Sequence, residues 1–186
     1  MAAQKKLHVG CGGRLLPGGW THVDITQHPH VEVVCDIRKL ADCFGAGSVD
    51  EIYACHVLEH VSRHDVAATL AGMFAVLAPG GRLRLAVPDI GKAVELYGRG
   101  VPLWPTLYGQ FWGGQRDETD YHRVGFDFAT LDAFLCAAGF RGTRRYDWRD
   151  FLPDGFDDFS RSYVPHLDFE HGENLSLNVL ADKPAA

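Results

Sequence analysis

Residues 7–13 read Leu-His-Val-Gly-Cys-Gly-Gly, a short apolar run that ends in a glycine-rich turn. Glycine after a strand adopts positive φ readily and lets a ligand approach backbone N–H groups. The stretch lacks the GxGxxG dinucleotide pattern, because the residue three after Gly12 is Leu15, and it lacks the GK[ST] of a P-loop. On its own it predicts a strand followed by a ligand-binding turn or by an ordinary tight turn.

Further strand and helix signals continue outward from this turn. Apolar or β-branched runs bounded by turn residues predict strands at 21–25, 31–35, 51–54, 82–87, 143–148 and 175–181. Apolar residues at helical spacing predict a helix over 62–77 with Ser62 as its N-cap. A second helix is predicted over 131–138, between Thr130 as N-cap and Gly139 as its end. Strand, helix, strand at this spacing predicts a parallel crossover, and therefore an α/β fold with an open, mostly parallel sheet.

Composition favours one domain over residues 1–186. The chain has 186 residues, 46% apolar residues and a formal net charge of −6, which suits a single core and argues against binding nucleic acid or an anionic membrane. No segment resembles a membrane span or a secretory signal, so we expect a cytoplasmic protein. The five cysteines are odd in number and never paired as CxxC, and we expect all of them to be reduced thiols. The Gly-, Pro- and aromatic-rich residues 98–123 are predicted to form a cap or lid insertion.

Two acidic residues follow the second and third predicted strands. Asp24 and Asp36 should meet the glycine turn, because the carboxyl ends of neighbouring parallel strands line one crevice. A carboxylate after the second strand is placed to accept both hydroxyls of a ribose, and one after the third can accept from an adenine amino group. For Asp36, a turn or helix cap is the competing interpretation.

The order of the motifs HVGCGG, THVDI, CDIRKL, VDEIYACHVLEHV, LAPGGRLRLAVPD and LDAFLCAAGF resembles the class I S-adenosylmethionine-dependent methyltransferases, specifically small bacterial type 11 members. The resemblance covers about residues 5–181. It implies a Rossmann-like seven-stranded sheet in the order 3-2-1-4-5-7-6, with the last strand antiparallel and helices on both faces. Fewer than ten residues separate Gly13 from the second strand, so the first helix must be truncated or absent.

The resemblance also implies a set of residues that bind S-adenosylmethionine. In this sequence the methionine part would meet Gly10, Cys11 and Gly12, the ribose Asp24, the adenine Asp36 and Ile37, and the sulfonium Cys55 and His56. One position departs from the family pattern: His8 stands where an acidic residue is usual, two positions before the first glycine.

Three residues beyond the cofactor set are candidates for acceptor chemistry. His56 and Asp89 follow the fourth and fifth predicted strands, and His122 lies in the insertion. If the acceptor must lose a proton, His56 or His122 is the predicted base and Asp89 its orienting partner. Each also has a structural interpretation, as a neighbour of the cofactor, a surface residue or a helix cap.

Residues 56–60 also match HxxEH, the inverted zinc-peptidase signature. That interpretation requires both histidines on one continuous helix, whereas here the pattern begins directly after a predicted strand, so we expect no metal. Aromatic residues of the insertion either stack against a sugar or aromatic acceptor or seal the insertion onto the sheet. Arg116, Arg123 and Arg161 could hold a carboxylate or phosphate. An acidic run, Asp147 to Asp158, is expected to form a solvated surface.

Together these features predict methyl transfer to oxygen or nitrogen of a small-molecule or carbohydrate-linked acceptor. The alternative is a non-catalytic module with a methyltransferase fold that acts by binding cofactor or protein. Retention of Gly10, Gly12, Asp24 and Asp36 favours the enzyme, and the sequence leaves a homo-oligomer open.

Overall fold

The computed structural model of the chain describes residues 4–185, and a seven-stranded sheet forms its centre. The strands of this sheet are β1 (Lys6–Val9), β2 (Trp20–Asp24), β3 (Val33–Val34), β4 (Val49–Cys55), β5 (Leu77–Pro88), β6 (Arg141–Arg145) and β9 (Ser176–Asp182). A separate hairpin pairs β7 (Tyr163–Val164) with β8 (Glu173–Asn174). Each predicted strand is present, although the third is only two residues long.

The strand order in the sheet is β3-β2-β1-β4-β5-β9-β6. Strands β1 to β5 are parallel, whereas β9 lies antiparallel between β5 and β6. Because β9 is the seventh strand of this sheet in chain order, the predicted order and the predicted antiparallel last strand are both confirmed. The loops that follow β1 to β4 therefore converge at one edge.

The helices are α1 (Leu40–Cys43), α2 (Val66–Val76), α3 (Ile90–Gly98), α4 (Tyr108–Trp112) and α5 (Phe128–Ala138). The predicted start of α2 at Ser62 is wrong. Residues 62–65 close a separate turn in which Asp65 N donates to Ser62 O at 2.8 Å, and the helix begins only at Val66. None of the described helices has the length and apolar character needed to cross a membrane.

The ends of α5 follow two local rules. Asp127, and not Thr130, is its N-cap, because the Asp127 carboxylate accepts a hydrogen bond from Thr130 N at 2.7 Å. Gly139 ends the helix with a φ of 108°, as predicted. An added Cβ at Gly139 would also lie 2.9 Å from the Phe74 ring, so both the positive φ and the close packing require glycine.

Residues 10–19, between β1 and β2, form only turns. The predicted truncation of the first helix is therefore confirmed, and in this structure it amounts to the absence of any helix at that position. The glycine turn is followed by further turns and then by β2.

The two faces of the sheet are covered by different kinds of structure. On the helical face, α1, α2 and α5 pack over apolar residues that alternate along the strands, such as Leu83, Leu85 and Val87 of β5. The loop-covered face carries a second cluster, to which residues 148–156 contribute in place of an α-helix. Its members are Leu16, Trp20, Tyr53, Cys55, Ala86 and Leu152, with Trp148, Phe151 and Phe156 packed against them.

Candidate active site

The glycine turn after β1 is shaped by two glycines with positive φ, 66° at Gly10 and 54° at Gly12. A Cβ at Gly10 would lie 2.5 Å from Val57 Cγ2, so a side chain there would collide with the segment after β4. At Gly12 nothing lies within 4 Å of the same position. The first glycine therefore permits close packing, and the second leaves open space beside the backbone.

Asp24 ties this turn to the end of β2. Its carboxylate accepts hydrogen bonds from Gly12 N at 2.7 Å and from Thr26 N at 2.8 Å. The residue is only 8% exposed, and it lies on the wall of a cavity. Two backbone donors fix the carboxylate, and its remaining lone pairs are available to hydroxyl groups of a ligand.

Asp36 both caps a turn and borders the same cavity. It accepts from Arg38 N at 2.9 Å at the start of a 3-10 turn, Ile37–Lys39, and it pairs with the Arg38 guanidinium. The hydrogen bond from Arg38 is the main reason that the pKa of Asp36 is lowered, so the group is an anion at neutral pH. Ile37 lies beside it on the cavity wall. The cap predicted as an alternative is present together with the placement predicted from the resemblance.

Next to this turn, Cys35 and Cys43 form a disulfide. The expectation that all five cysteines are reduced thiols is therefore wrong for this pair. The turn and α1 bring the two Cα atoms within 6.6 Å although neither cysteine belongs to a CxxC motif. Cys35 and Cys43 therefore no longer support the expected cytoplasmic location.

One cavity of about 730 Å³ runs along the edge of the sheet from the glycine turn to the insertion. Six of the eight residues predicted to bind the cofactor line it: Gly10, Gly12, Asp24, Asp36, Ile37 and His56. The far wall is formed by residues 116–120 and Arg123. The insertion therefore contributes directly to the cavity, and its description as a cap or lid stays a prediction.

The other two predicted cofactor residues, Cys11 and Cys55, do not line the cavity. The Cys11 side chain is buried 3.8 Å from His30 Nε2, and burial beside Asp24 raises its pKa to about 12. Cys55 is packed into the cluster of the loop-covered face, where burial raises its pKa well above the ordinary value. Both are inert thiols, and the alternation of side chains along β4 explains why Cys55 faces away.

His8 is buried on the loop-covered face, where its ring stacks on Tyr53 with centroids 5.3 Å apart. Burial, helped by the nearby His22, Arg14 and His30, lowers the pKa of His8 to about 3. The ring is therefore neutral at physiological pH. The unusual residue at this position is a packing element and does not line the cavity.

His56 follows β4 with a φ of 51°, lines the cavity, and is held by a directed chain of hydrogen bonds. Asn178 Nδ2 donates to Ser160 O at 2.8 Å, which turns its oxygen toward Ser176, and Ser176 Oγ donates to that oxygen at 2.9 Å. Ser176 Oγ can then only accept from His56 Nε2, 3.0 Å away. The remaining nitrogen, His56 Nδ1, lies 3.2 Å from Glu59 Oε1.

Glu59, which the sequence marks only as part of the HxxEH pattern, is the centre of a cluster of three histidines. It is fully buried, and neither carboxylate oxygen has a hydrogen-bond partner among the described residues, since the His56 contact lacks hydrogen-bond geometry. Burial raises the pKa of Glu59, but His56, His60 and His122 outweigh it and the pKa is lowered overall. The residue is thus a buried anion.

His122 reaches this cluster from the insertion. Its Nε2 lies 3.9 Å from Glu59 Oε1, and its Nδ1 lies 3.1 Å from Gln110 O. Burial, more than any neighbouring charge, lowers the pKa of His122. His122 does not line the cavity, so the structure brings the two predicted bases to one carboxylate but leaves only His56 facing a ligand.

Asp89 contacts residues other than His56 and His122. Its carboxylate accepts from Lys92 N at 3.0 Å as the N-cap of α3 and pairs with Arg145 Nη1 at 3.1 Å. It does not line the cavity. The cap that the sequence offered as a structural alternative accounts for these contacts, and the catalytic role of Asp89 stays a prediction.

The aromatic residues of the insertion divide between packing and exposure. Phe111 packs against the buried cluster around Leu96, whereas Trp104 is 72% and Trp112 41% exposed. Tyr108 bridges the two tryptophan rings, with centroid distances of 5.2 and 4.6 Å. An exposed aromatic strip, Trp104, Tyr108 and Trp112, therefore lies on the insertion, outside the cavity lining.

The three predicted anion-binding arginines separate in the same way. Arg116 and Arg123 line the cavity, Arg116 in an ion pair with Asp120 at 2.7 Å. Arg161 instead stacks over Trp148 and Phe169 and donates to a backbone carbonyl. Only the first two could meet a ligand.

The acidic run expected on the surface contains one buried member. Asp158 is 5% exposed and accepts hydrogen bonds from Tyr53 Oη and from Ser160 Oγ. The expectation of a fully solvated surface is therefore wrong at Asp158. No local signal marks it, because its partner Tyr53 is 105 residues away.

The fold agrees with that of known proteins. The model of the type 11 methyltransferase family, described as a methyltransferase domain, matches residues 7–85. A SAM-dependent methyltransferase from Archaeoglobus fulgidus superposes with a TM-score of 0.61 at 15% identity, covering 97% of this chain and 86% of that one. No curated protein sequence matches the chain.

Two further solved structures differ in their chemistry. The 1,6-didemethyltoxoflavin-N1-methyltransferase of Burkholderia thailandensis, with S-adenosylhomocysteine bound, gives a TM-score of 0.56 at 16% identity over 97% of this chain and 72% of that one. The CurJ carbon methyltransferase gives 0.57 at 16% identity over 97% of this chain, which spans about half of that one, 48%. At such identities the likeness shows the fold and leaves the acceptor open.

A seven-stranded sheet with this order, beside a glycine turn, is the fold of the class I methyltransferases. The family match is the more specific finding: residues 7–85, less than half of the chain, are similar to the type 11 methyltransferase domain, and the solved structure with the highest TM-score of the three named above is a SAM-dependent methyltransferase. The residues fit this cofactor, because the cavity is open beside Gly12 and has the Asp24 carboxylate on its wall.

Proposed function

We propose that the chain transfers the methyl group of S-adenosylmethionine to an oxygen or nitrogen of a small-molecule or carbohydrate-linked acceptor. The observation that supports this proposal is the single cavity of about 730 Å³, which has the glycine turn and Asp24 at one end and His56 and His60 at the other. A volume of this order suits a cofactor and a small acceptor.

The cofactor residues bind and orient. Bound S-adenosylmethionine supplies a methyl carbon activated by a positively charged sulfur. Asp24 would accept hydrogen bonds from ribose hydroxyls, Gly12 would leave the backbone free for the methionine part, and Asp36 with Ile37 would border the adenine. Orientation of this kind contributes up to about 7–11 kcal/mol to a displacement between two bound groups.

His56 is the proposed base for an acceptor hydroxyl. With Nε2 bound to Ser176 Oγ, it would take the proton at Nδ1, 3.2 Å from Glu59 Oε1, where the carboxylate stabilises the imidazolium that forms. Glu59 thus replaces Asp89 as the orienting partner. His122 remains the second candidate base, although it does not line the cavity.

The acceptor class is supported by the surface near the cavity. The exposed aromatic strip offers flat apolar faces of the kind that pack against sugar rings. Trp112 O, at the end of the strip, accepts from His122 N at 3.3 Å, so the strip adjoins the histidine cluster. The net charge of −6 disfavours a nucleic-acid acceptor.

Calorimetry with S-adenosylmethionine tests the cofactor half of the proposal. We expect the wild type to bind and Asp24→Ala to lose about 10- to 150-fold in affinity, the range for hydrogen bonds to a charged group. Asp42→Ala removes the same charge from an exposed position in α1 and should bind as the wild type does. A wild type that does not bind, or equal losses in both variants, would contradict the proposal.

Release of S-adenosylhomocysteine tests the acceptor half. Hydroxylated and amine-bearing small molecules and sugars are compared with RNA, and we expect turnover only with the former. For a hydroxyl acceptor, His56→Ala should lower kcat by about 10² to 10⁴-fold. Turnover on RNA alone would contradict the acceptor class, and full kcat in both His56→Ala and His122→Ala would eliminate both bases.

A further inference from the structure

The cluster around Glu59 has the composition of a metal site. One potential ligand atom from each of Glu59, His60 and His122 lies within 4.8 Å of the other two. The carboxylate is fully buried, and both its oxygens lack hydrogen-bond partners among the described residues. A buried carboxylate without partners is costly unless a positive charge compensates it.

The two imidazoles are held in the tautomer that binds a metal. His60 Nδ1 lies 3.1 Å from Tyr121 O, and His122 Nδ1 lies 3.1 Å from Gln110 O. A carbonyl oxygen only accepts, so both Nδ1 atoms carry hydrogen, and Nε2 is the atom of each ring that is free to bind a metal. A backbone carbonyl that fixes the far nitrogen is the usual support of a metal-ligating histidine.

In this tautomer an Nε2 lone pair faces the Glu59 carboxylate. His122 Nε2 faces Glu59 Oε1 at 3.9 Å, a distance at which no hydrogen bond joins them. Either a proton on Nε2 or a metal ion between the two atoms would compensate the buried carboxylate. The arrangement leaves room for a bound ion among the three groups.

We infer that Glu59, His60 and His122 bind one divalent first-row transition metal ion such as Zn²⁺. Two imidazole nitrogens and one carboxylate leave coordination positions open, as catalytic zinc sites do. Nitrogen ligands disfavour Mg²⁺ and Ca²⁺, which prefer oxygen. Of the three residues, His60 lines the cavity, so the site adjoins the space proposed for the acceptor.

The HxxEH motif does not describe this site. It would use His56 and His60 on one helix, whereas Leu58–His60 is a 3-10 turn and the third ligand comes from the insertion 62 residues beyond His60. The two histidines of the motif therefore do not share one continuous helix, and the inferred site is instead assembled from a turn and the insertion. His56 is outside the set of three and stays available as a base.

The ion would bind an oxygen of the acceptor, an extension that rests on the proposed function. When bound, the ion would make an acceptor hydroxyl lose its proton more readily, and His56 Nδ1 would take that proton. The oxygen would form its bond to the methyl carbon as the carbon–sulfur bond breaks, with that electron pair left on sulfur. Metal binding itself is independent of this step.

The test begins with the full chain stripped by a chelator and titrated with Zn²⁺ and Co²⁺ under calorimetry, with bound metal measured by elemental analysis. We expect one ion per chain and, with Co²⁺, a visible absorption band. His60→Ala and His122→Ala should each lower the affinity by more than the about 10–100-fold typical of outer-sphere changes. His64→Ala, which removes an exposed histidine four residues after His60, should leave it unchanged.

The experiment distinguishes failure of the metal site from failure of the proposed function. If the wild type binds neither ion, or if His64→Ala weakens binding as much as His60→Ala does, the metal site is wrong. The Co²⁺ spectrum of the wild type decides this even if a variant fails to fold. S-adenosylmethionine binding by the stripped protein is measured in parallel: retained cofactor binding without metal binding overturns only the metal site, whereas lost cofactor binding contradicts the proposed function.

Discussion

Both the helical face and the loop-covered face of the sheet are buried, but they bury different kinds of side chain. The helical face is almost entirely apolar, whereas the loop-covered face buries His8, Tyr53 and Asp158. It also contacts the cofactor turn, because Arg14 Nε donates to Asp157 O at 3.0 Å and the Arg14 guanidinium lies 4.6 Å from the Phe159 ring centroid. We therefore expect the helical face to contribute to stability alone and the loop-covered face to contribute to both stability and cofactor affinity.

The largest effect is expected from matched leucine truncations on the two faces. Leu70→Ala removes a fully buried side chain beneath the helices and should cost about 4 kcal/mol of unfolding free energy with cofactor affinity unchanged. Leu152→Ala, under a loop that can collapse around it, should cost about 2 kcal/mol but also weaken cofactor binding. Urea unfolding and calorimetry measure both quantities. Equal affinities in the two folded variants would show that the faces are not functionally different.

An intermediate effect is expected from the buried polar contact of the loop-covered face. Tyr53→Phe removes the hydroxyl that donates to Asp158 and should destabilise the fold by about 1–3 kcal/mol. Tyr146→Phe is the matched control, since that buried hydroxyl has no hydrogen-bond partner among the described residues. Thermal unfolding of both variants is the measurement. A Tyr146→Phe loss as large as that of Tyr53→Phe would mean that the Asp158 contact contributes nothing specific.

The smallest effect at neutral pH is expected from His8→Phe, which keeps the stacking on Tyr53. The folded-state pKa of His8 is lowered from 6.5 to about 3, so the unfolded chain binds a proton that the folded chain does not. Stability is therefore fully present above pH 6.5 and is lost as the pH falls below it, by up to about 1.4 kcal/mol per pH unit. Denaturant unfolding between pH 5 and about 6.5 measures this slope.

His8→Phe should flatten that slope while leaving the stability near pH 7 little changed. His8→Gln tests the cause, because it also removes the titrating ring but gives up the aromatic contact. Both variants should lose the same slope. A slope that persists in both would assign the acid sensitivity to other groups.

Sequence reasoning succeeded where the physics is local. The alternation of Leu83, Leu85 and Val87 and the left-handed end at Gly139 depend on neighbouring residues, and the structure confirms both. The placement of Asp24 and Asp36 on one cavity could be predicted because parallel strands end at one edge. The start of α2 failed because Ser62, a good N-cap, is used by the preceding turn.

The loop-covered face and the Glu59 cluster lay beyond such reasoning. Asp158 meets Tyr53 across 105 residues, and no periodic pattern connects them. Glu59 and His60 were visible as a motif, but the third member, His122, comes from the insertion, where Arg123 N donates to Glu59 O at 2.8 Å. Contacts made by irregular segments carry little sequence signal.

The position of β9 between β5 and β6 has a consequence for the order in which the enzyme matures. A ribosome delivers the glycine turn first, but Asp157, which holds Arg14, and Ser176, which holds His56, emerge more than a hundred residues later. At a synthesis rate of about 5–20 residues per second, Asp157 and Ser176 are made on the order of ten seconds after the glycine turn. Strand β6 likewise has no partner in the sheet until β9 is synthesised. The contacts that support the glycine turn and His56 are therefore complete only after β9 has begun to be synthesised.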